Sequence, residues 1–362
     1  MKKVISKIRR IVPIGSFVTI LLFILSLLIY TIAVYSPPFA DFINSTVSWF
    51  FRRILSFITD FLPFSLFELL IIAALPLAGV AVWFGIKRRG VAALRYAVAL
   101  LSVPIFLFST YLITFGVAYR TSEISDNLGI SSRDEISKQE LRDTYVMIRD
   151  FVNLYAEELD TSTLPSDMPY SLDELSRLIS EAYSALASEH RDIPDYPSRV
   201  KPVLFSTVMS SMRITGIFSP FTAEANINTE YPDYSLPFTV AHEFAHQRGI
   251  ARENEANFIA HLVCTYSSDP FIRYSGYLSI YEYLASALYS LDAELYRELS
   301  ASLSERASVD ILASRSVSAK YKDSALGKIN EQLNDLYLKS NGTDGVISYT
   351  YVVRMAVGYY LG

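Results

Sequence analysis

The chain has 362 residues, 51% hydrophobic and 14% aromatic, with a mean hydropathy of +0.27. This excludes a disordered chain and is too apolar for an ordinary soluble enzyme, so it calls for membrane spans joined to a folded domain. Residues 1–120 hold 12 Lys+Arg against Asp41, Asp60 and Glu68, leaving 20 of the 32 basic and 34 of the 37 acidic residues to the rest; an acidic domain of that kind argues against nucleic acid as a partner.

Three apolar runs, residues 11–35, 67–86 and 93–119, each approach the ~20 residues a spanning helix needs. Pro76 and Pro104 fall inside runs, where a membrane tolerates proline better than water does. The first run exceeds a signal-peptide core, and no small-x-small cleavage site follows it. Basic clusters at MKKVISKIRR and Lys87–Arg89 put the N-terminus and the second connection on the cytoplasmic side. By that reckoning the protein is a multi-pass cell-membrane protein, and residues 121–362 form an extracytoplasmic domain. Between the first two runs, residues 44–62 place Val47, Phe50, Phe51, Ile54, Phe57 and Ile58 at helical spacing, with Arg52, Arg53 and Asp60 elsewhere. This reads as a helix lying in the membrane surface, with Trp49 at headgroup level.

Beyond Arg120, helical periodicity runs over 132–159 and 171–188, the latter with Ser171 and Glu174 in capping-box spacing. Pro-containing stretches at 164–170 and 193–202 read as connectors. Helical patterns return over 274–291, 293–302, 309–321, 326–340 and 347–360. One region departs from the habit: residues 215–235 hold two short β-prone pieces, 216–218 and 225–229. The expected domain is mainly α, with a small β element before a histidine-bearing helix. With one cysteine, Cys264, no intrachain disulfide is available and the core must hold the fold.

The stretch VAHEFAHQRGIARENEANFIAHLVC, 240–264, holds three of the four histidines. Ser235 and Pro237 mark the start of a helix through about Arg248, and Gly249 marks its end. His242 and His246 stand at i and i+4 on one face and can share one ion. Glu243, beside the first, can reach a metal-activated water without itself binding the metal. A catalytic zinc wants a third protein ligand, and either Glu253 or Glu255 lies near enough by distance. Both sit on a second helix over 251–267, about 200° apart, so one of the two faces the site. Eight residues past Glu253, His261 reads as a core or pocket histidine, whereas His190 reads as surface.

The run Glu253–Ala260, ENEANFIA, resembles the E-x-x-A-[ND]-x-x-A helix of gluzincin metallopeptidases, the ImmA/IrrE type with Asn in the fifth place and the CAAX-protease type with Asp there. That resemblance implies a zincin-like fold, one Zn2+ ion, Glu253 as third ligand, Asn257 as a residue steadying a ligand, and Glu255 turned away. The spacing departs from those families, since six residues separate His246 from Glu253. Gly249 echoes metzincins, but Arg252 stands where their third ligand falls. The whole chain also resembles a bacterial three-span membrane-protein family of unknown function, through the spans, the segment 214–264 and the motif YSGYL.

The expected activity is that of a membrane-anchored zinc metallopeptidase, with Glu243 as general base. Its partners are the lipid bilayer and a protein or peptide near the membrane surface. An inactive zinc-binding scaffold or sensor, or a zinc amidohydrolase for a non-peptide envelope substrate, are the alternatives. Tyr277, and then Tyr274, are the candidates for an oxyanion donor. Asn226 and Asn228 are candidates for holding substrate on an edge strand.

Overall fold

A computed structural model describes residues 11–130, 135–159, 162–345 and 351–362. The basic residues 1–10, and the first residues of the helices expected at 132 and 347, lie outside that set. The chain divides into two compact units, Met1–Ser122 with Ser219–Ala223, and Glu123–Phe218 with Glu224–Gly362.

The first unit contains three helices long and apolar enough to cross a membrane, α1 (Ile14–Tyr35), α4 (Leu66–Ile86) and α5 (Gly90–Thr114). Between them lie α2 (Pro37–Ile43), a π-turn (Asn44–Ser48) and α3 (Trp49–Asp60). The third run does not stay α-helical to residue 119: α5 stops at Thr114 and Gly116–Arg120 tightens to a buried 3₁₀ turn. Ser65 caps α4 by accepting from the Glu68 N–H at 3.0 Å. Helix α3 is arranged inside out. Its Arg52, Ser56 and Thr59 are buried, while Phe50, Ile54, Phe57 and Ile58 are exposed. Arg52 Nη1 donates to the Thr114 carbonyl at 2.6 Å and Nη2 to Asn44 Oδ1 at 2.9 Å. A cation there satisfies a carbonyl left over at the end of α5. Arg52 is therefore an internal fastener, not the solvent-facing residue that its place in the sequence pattern implies.

The second unit is mainly helical with a three-stranded sheet. Its elements are α6 (Lys138–Glu158), α7 (Leu172–Glu189), β1 (Val200–Pro202), β2 (Gly216–Ser219), β3 (Glu224–Ile227), α8 (Leu236–Gln247), α9 (Glu253–Tyr266), α10 (Pro270–Leu291), α11 (Ala293–Ser300), α12 (Glu305–Lys320), α13 (Ala325–Ser340) and α14 (Tyr351–Leu361). Short helices Ile124–Asn127 and Ser206–Ser211 also occur. A full capping box, Ser137 with Glu140, starts α6. At α7 the Ser171 hydroxyl accepts from the Glu174 N–H at 3.3 Å.

Strand order is β1-β3-β2, and β1 runs parallel to β3 with Val200 opposite Ala225 and Lys201 opposite Asn226. The four-residue link from β2 to β3 is too short for a parallel crossover, so those two strands are antiparallel. The connector expected over 193–202 thus ends in a strand, because β3 offers it an unpaired edge. Lys201 and Glu224 form a buried ion pair at 2.5 Å across β1 and β3. Strand β3 packs on α8, and α8, α9 and α10 pack on one another. Gly276 on α10 permits a close approach to α9. A Cβ there would stand 2.3 Å from the Cys264 Cβ on α9. Tyr145 of α6 and Tyr281 of α10 share a buried hydroxyl pair at 2.7 Å.

Candidate metal centre

Helix α8 starts without the expected Ser235 cap. Ser235 is itself in a 3₁₀ turn, and its hydroxyl donates to the Pro232 carbonyl at 2.7 Å. Instead Ser275 of α10 accepts from the Phe238 N–H at 3.1 Å, so a neighbouring helix satisfies a donor that the sequence assigns to a local cap. The helix ends as its glycine requires, with Gly249 at φ +92°, a backbone region that L side chains rarely adopt. Arg248, fully buried, fixes this end. Its guanidinium donates to the carbonyls of Pro194 and Tyr196 and to Ser198 Oγ, and it stacks 3.8 Å over Tyr183.

The turn delivers Glu253, first residue of α9, to the two imidazoles. His242 Nε2 lies 3.3 Å from Glu253 Oε2, and His246 Nε2 lies 3.6 Å from Glu253 Oε1. One ligand atom from each of the three residues falls within 4.8 Å of the others, so the cluster could hold a metal ion. Bond lengths of about 2.0–2.2 Å at tetrahedral angles place ligand atoms about 3.3–3.5 Å apart, close to both separations. The side chains remain 9–15% exposed, so solvent reaches the cluster.

Tautomers follow from the other ring nitrogens. His246 Nδ1 lies 2.8 Å from the Ile250 carbonyl, an acceptor, so it carries the proton and leaves Nε2 free. His242 Nδ1 and Asn257 Nδ2 are both buried without a partner as the amide is oriented, although the two side chains interact. Turning the amide so that its oxygen meets the imidazole N–H satisfies His242. In the metal-free chain, burial pulls the His246 pKa down to about 4, which keeps it a neutral donor. Burial is the largest single effect on His242 and opposes its charge, but Glu253, Glu243 and Asn257 together outweigh it and the net shift is upward.

Glu243 is buried, and burial raises its pKa to about 8, against the lowering effects of His242 and the Phe218 backbone N–H. Its Oε2 has no hydrogen-bond partner. Strand β2 presses on it from the other side: a Cβ at Gly216 would lie 2.6 Å from Glu243 Oε1 and 2.8 Å from Thr239 Cγ2. A glycine opening a strand is a known sign of close backbone approach, and Gly216 is that signal in the sequence.

The other named residues fall elsewhere. Glu255 turns away into a buried pair with Arg252 at 2.7 Å and accepts from the Ile124 N–H at 3.0 Å. Tyr277 is stacked on Phe151 and Tyr155, and its hydroxyl pairs with Tyr360; Tyr274 donates to Asp310 at 2.7 Å. His261 is a satisfied core histidine, between the Gly276 carbonyl at 3.1 Å and the Tyr360 hydroxyl at 2.7 Å. Tyr283, six residues and about 240° around α10 from Tyr277, does feel the cluster: burial raises its phenol pKa and the Glu253 charge raises it further. The edge-strand expectation for Asn226 and Asn228 is corrected. Strand β3 is the middle strand, because β1 pairs with its outer side. Asn226 Nδ2 donates to the Ile217 and Glu224 carbonyls, and Asn228 Nδ2 donates to Ser210 Oγ and the Ile214 carbonyl. Both side chains are fully buried, and strand β2 is the edge beside Glu243.

These features define a helical membrane protein with a candidate His/Glu metal site. The chain belongs to the family described as protein of unknown function (DUF3810), whose model matches residues 43–357. No curated protein and no solved structure matches it.

Proposed function

We propose that this protein is a membrane-anchored zinc metallopeptidase. One observation carries the reading: the Glu243 carboxylate is buried beside a three-donor cluster, with one oxygen unpaired. A purely structural clip has no use for such a group, and burying it costs stability. The donor set of two imidazoles and one carboxylate suits zinc. The run ENEANFIA supports the same assignment through its resemblance to the gluzincin helix.

His242, His246 and Glu253 hold the ion in this reading. Zinc, when bound, polarises a scissile carbonyl and lowers the pKa of water towards about 7. Glu243 removes a proton from the attacking water and returns it to the leaving amine. Its seat against Gly216 and the Phe218 N–H keeps the carboxylate from swinging off the water. Asn257 holds His242 in the tautomer that leaves Nε2 free. An extended substrate lies along the edge of β2 beside Glu243. The domain faces outward by the basic-residue asymmetry around the spans.

The test compares membranes bearing wild type and Glu243→Gln by mass spectrometry of new peptide termini, with bound zinc measured in parallel. The expected result is equal zinc and loss of a set of termini in the variant. Identical termini in both, with zinc retained, would favour the scaffold.

A further inference from the structure

Glu253 stands at the least secure place on a helix. It is the first residue of α9, and Arg252 before it supplies no side-chain cap. First-turn N–H groups have no partner within the helix, so an uncapped end frays readily. The turn that leads to it is held on its α8 side, where His246 Nδ1 meets the Ile250 carbonyl at 2.8 Å. On its α9 side the hold is Glu255. The buried Glu255 carboxylate accepts from Arg252 Nη1 at 2.7 Å and from the Ile124 N–H at 3.0 Å, 131 residues away in the chain. Residues on both sides of Glu253 are thus tied to one carboxylate, and through it to a distant segment.

That segment is itself fastened. It follows α5 through the 3₁₀ turn Gly116–Arg120. Asp41, on α2, accepts from the Ser122 N–H at 3.0 Å and from the Ser122 hydroxyl at 2.7 Å, one bond to each carboxylate oxygen. Hydrogen bonds to a carboxylate are the stronger kind. Ser122 closes the first stretch of the first unit, and Glu123 opens the second unit. Only Glu123 separates the two fastenings, so the chain allows Ser122 and Ile124 no more than about 7 Å between their Cα atoms.

We propose that Glu255 and Asp41 are positioning residues for the ligand Glu253. Glu255 ties the first turn of α9 to Ile124, and Asp41 holds that segment where it leaves the first unit, so the metal affinity of the site depends on a seat in the first unit. This rests on the reading of His242, His246 and Glu253 as metal ligands and not on hydrolysis. The test measures the Zn2+ affinity of the full-length protein in detergent micelles by competition with a chromophoric chelator, and amide hydrogen exchange over 250–259 in the metal-free protein. Glu255→Ala is expected to weaken zinc binding about 10- to 100-fold. Glu255→Gln keeps an acceptor for the Ile124 N–H and should recover most of that loss. A Gln variant as weak as the Ala variant would mean that Glu255 acts through its charge, and overturns the proposal. Asp41→Ala should cost about 2- to 10-fold, the worth of an ordinary hydrogen bond, and nothing further when combined with Glu255→Ala. Unchanged affinity in Asp41→Ala, or losses that multiply in the double variant, overturns it as well. Asp41→Ala, read by both measurements, decides the question should Glu255→Ala not fold. If Glu253→Ala binds zinc as well as wild type, the ligand reading fails instead; faster exchange over 250–259 in both Glu255→Ala and Asp41→Ala then upholds the tie, and unchanged exchange refutes it.

Discussion

Gly216→Ala adds one carbon at the point where β2 meets the candidate base. The new Cβ would stand 2.6 Å from Glu243 Oε1, 2.8 Å from Glu243 Cγ and 2.8 Å from Thr239 Cγ2, whereas ordinary contact starts at 3.4 Å. Each approach is short by about 0.6–0.8 Å. Rotating the carboxylate relieves the first but not the others, because Cγ and Thr239 are tied to α8. Strand and helix must part, or Glu243 must leave its place. Overpacking of this kind costs about 1–3 kcal/mol, and a displacement approaching 1 Å at a catalytic group costs about 100-fold in rate. Equilibrium unfolding, zinc content and Glu243-dependent peptide termini together form the assay. The expected outcome is a stability loss in that range, zinc retained and cleavage reduced about 100-fold. A variant as stable and as active as wild type would show that β2 does not seat Glu243.

Three further outcomes follow from the packing around the site. Asn257→Ala leaves the His242 N–H without its acceptor and should weaken zinc binding about 10- to 100-fold, read by competition with a chromophoric chelator; unchanged affinity would remove Asn257 from the site. Gly276→Ala puts a Cβ against the Cys264 Cβ and should destabilise by about 1–3 kcal/mol or more; Cys264→Ala keeps that Cβ and should not rescue it, whereas Cys264→Gly should, as thermal unfolding will report. Burial depresses the His261 pKa to about 4 from an ordinary 6.5, so the unfolded chain binds the extra proton and stability falls as pH drops from about 6.5 towards 4, by up to about 3 kcal/mol. His261→Gln should flatten that limb of the pH–stability curve, and an unaltered limb would refute the assignment.

Much of the fold was legible because its signals are local. Apolar runs of spanning length, helical periodicity and the Gly249 stop depend on neighbours in the chain, and three spanning-length helices and a mainly helical second unit appear. The i, i+4 histidines likewise need only helix geometry to share a face. The choice of Glu253 over Glu255 came from a resemblance, and in the structure Glu253 stands beside both imidazoles while Glu255 pairs with Arg252. The surroundings of Tyr277 and of the two asparagines are set by distant segments: Phe151 and Tyr155 on α6, and β1 from a stretch that reads as a connector. Ser235 lost its cap role to Ser275 for the same reason.

The sequence alone therefore determined most of the long helices, which of them are apolar enough to span a bilayer, and which two imidazoles stand together, since each depends on residues within a turn or two. Tertiary structure decided the rest. It buried Arg52, made β3 the central strand and β2 an edge, and pressed Gly216 against Glu243. Such outcomes depend on which surfaces meet, and contacts between residues far apart in the chain leave no periodicity to read.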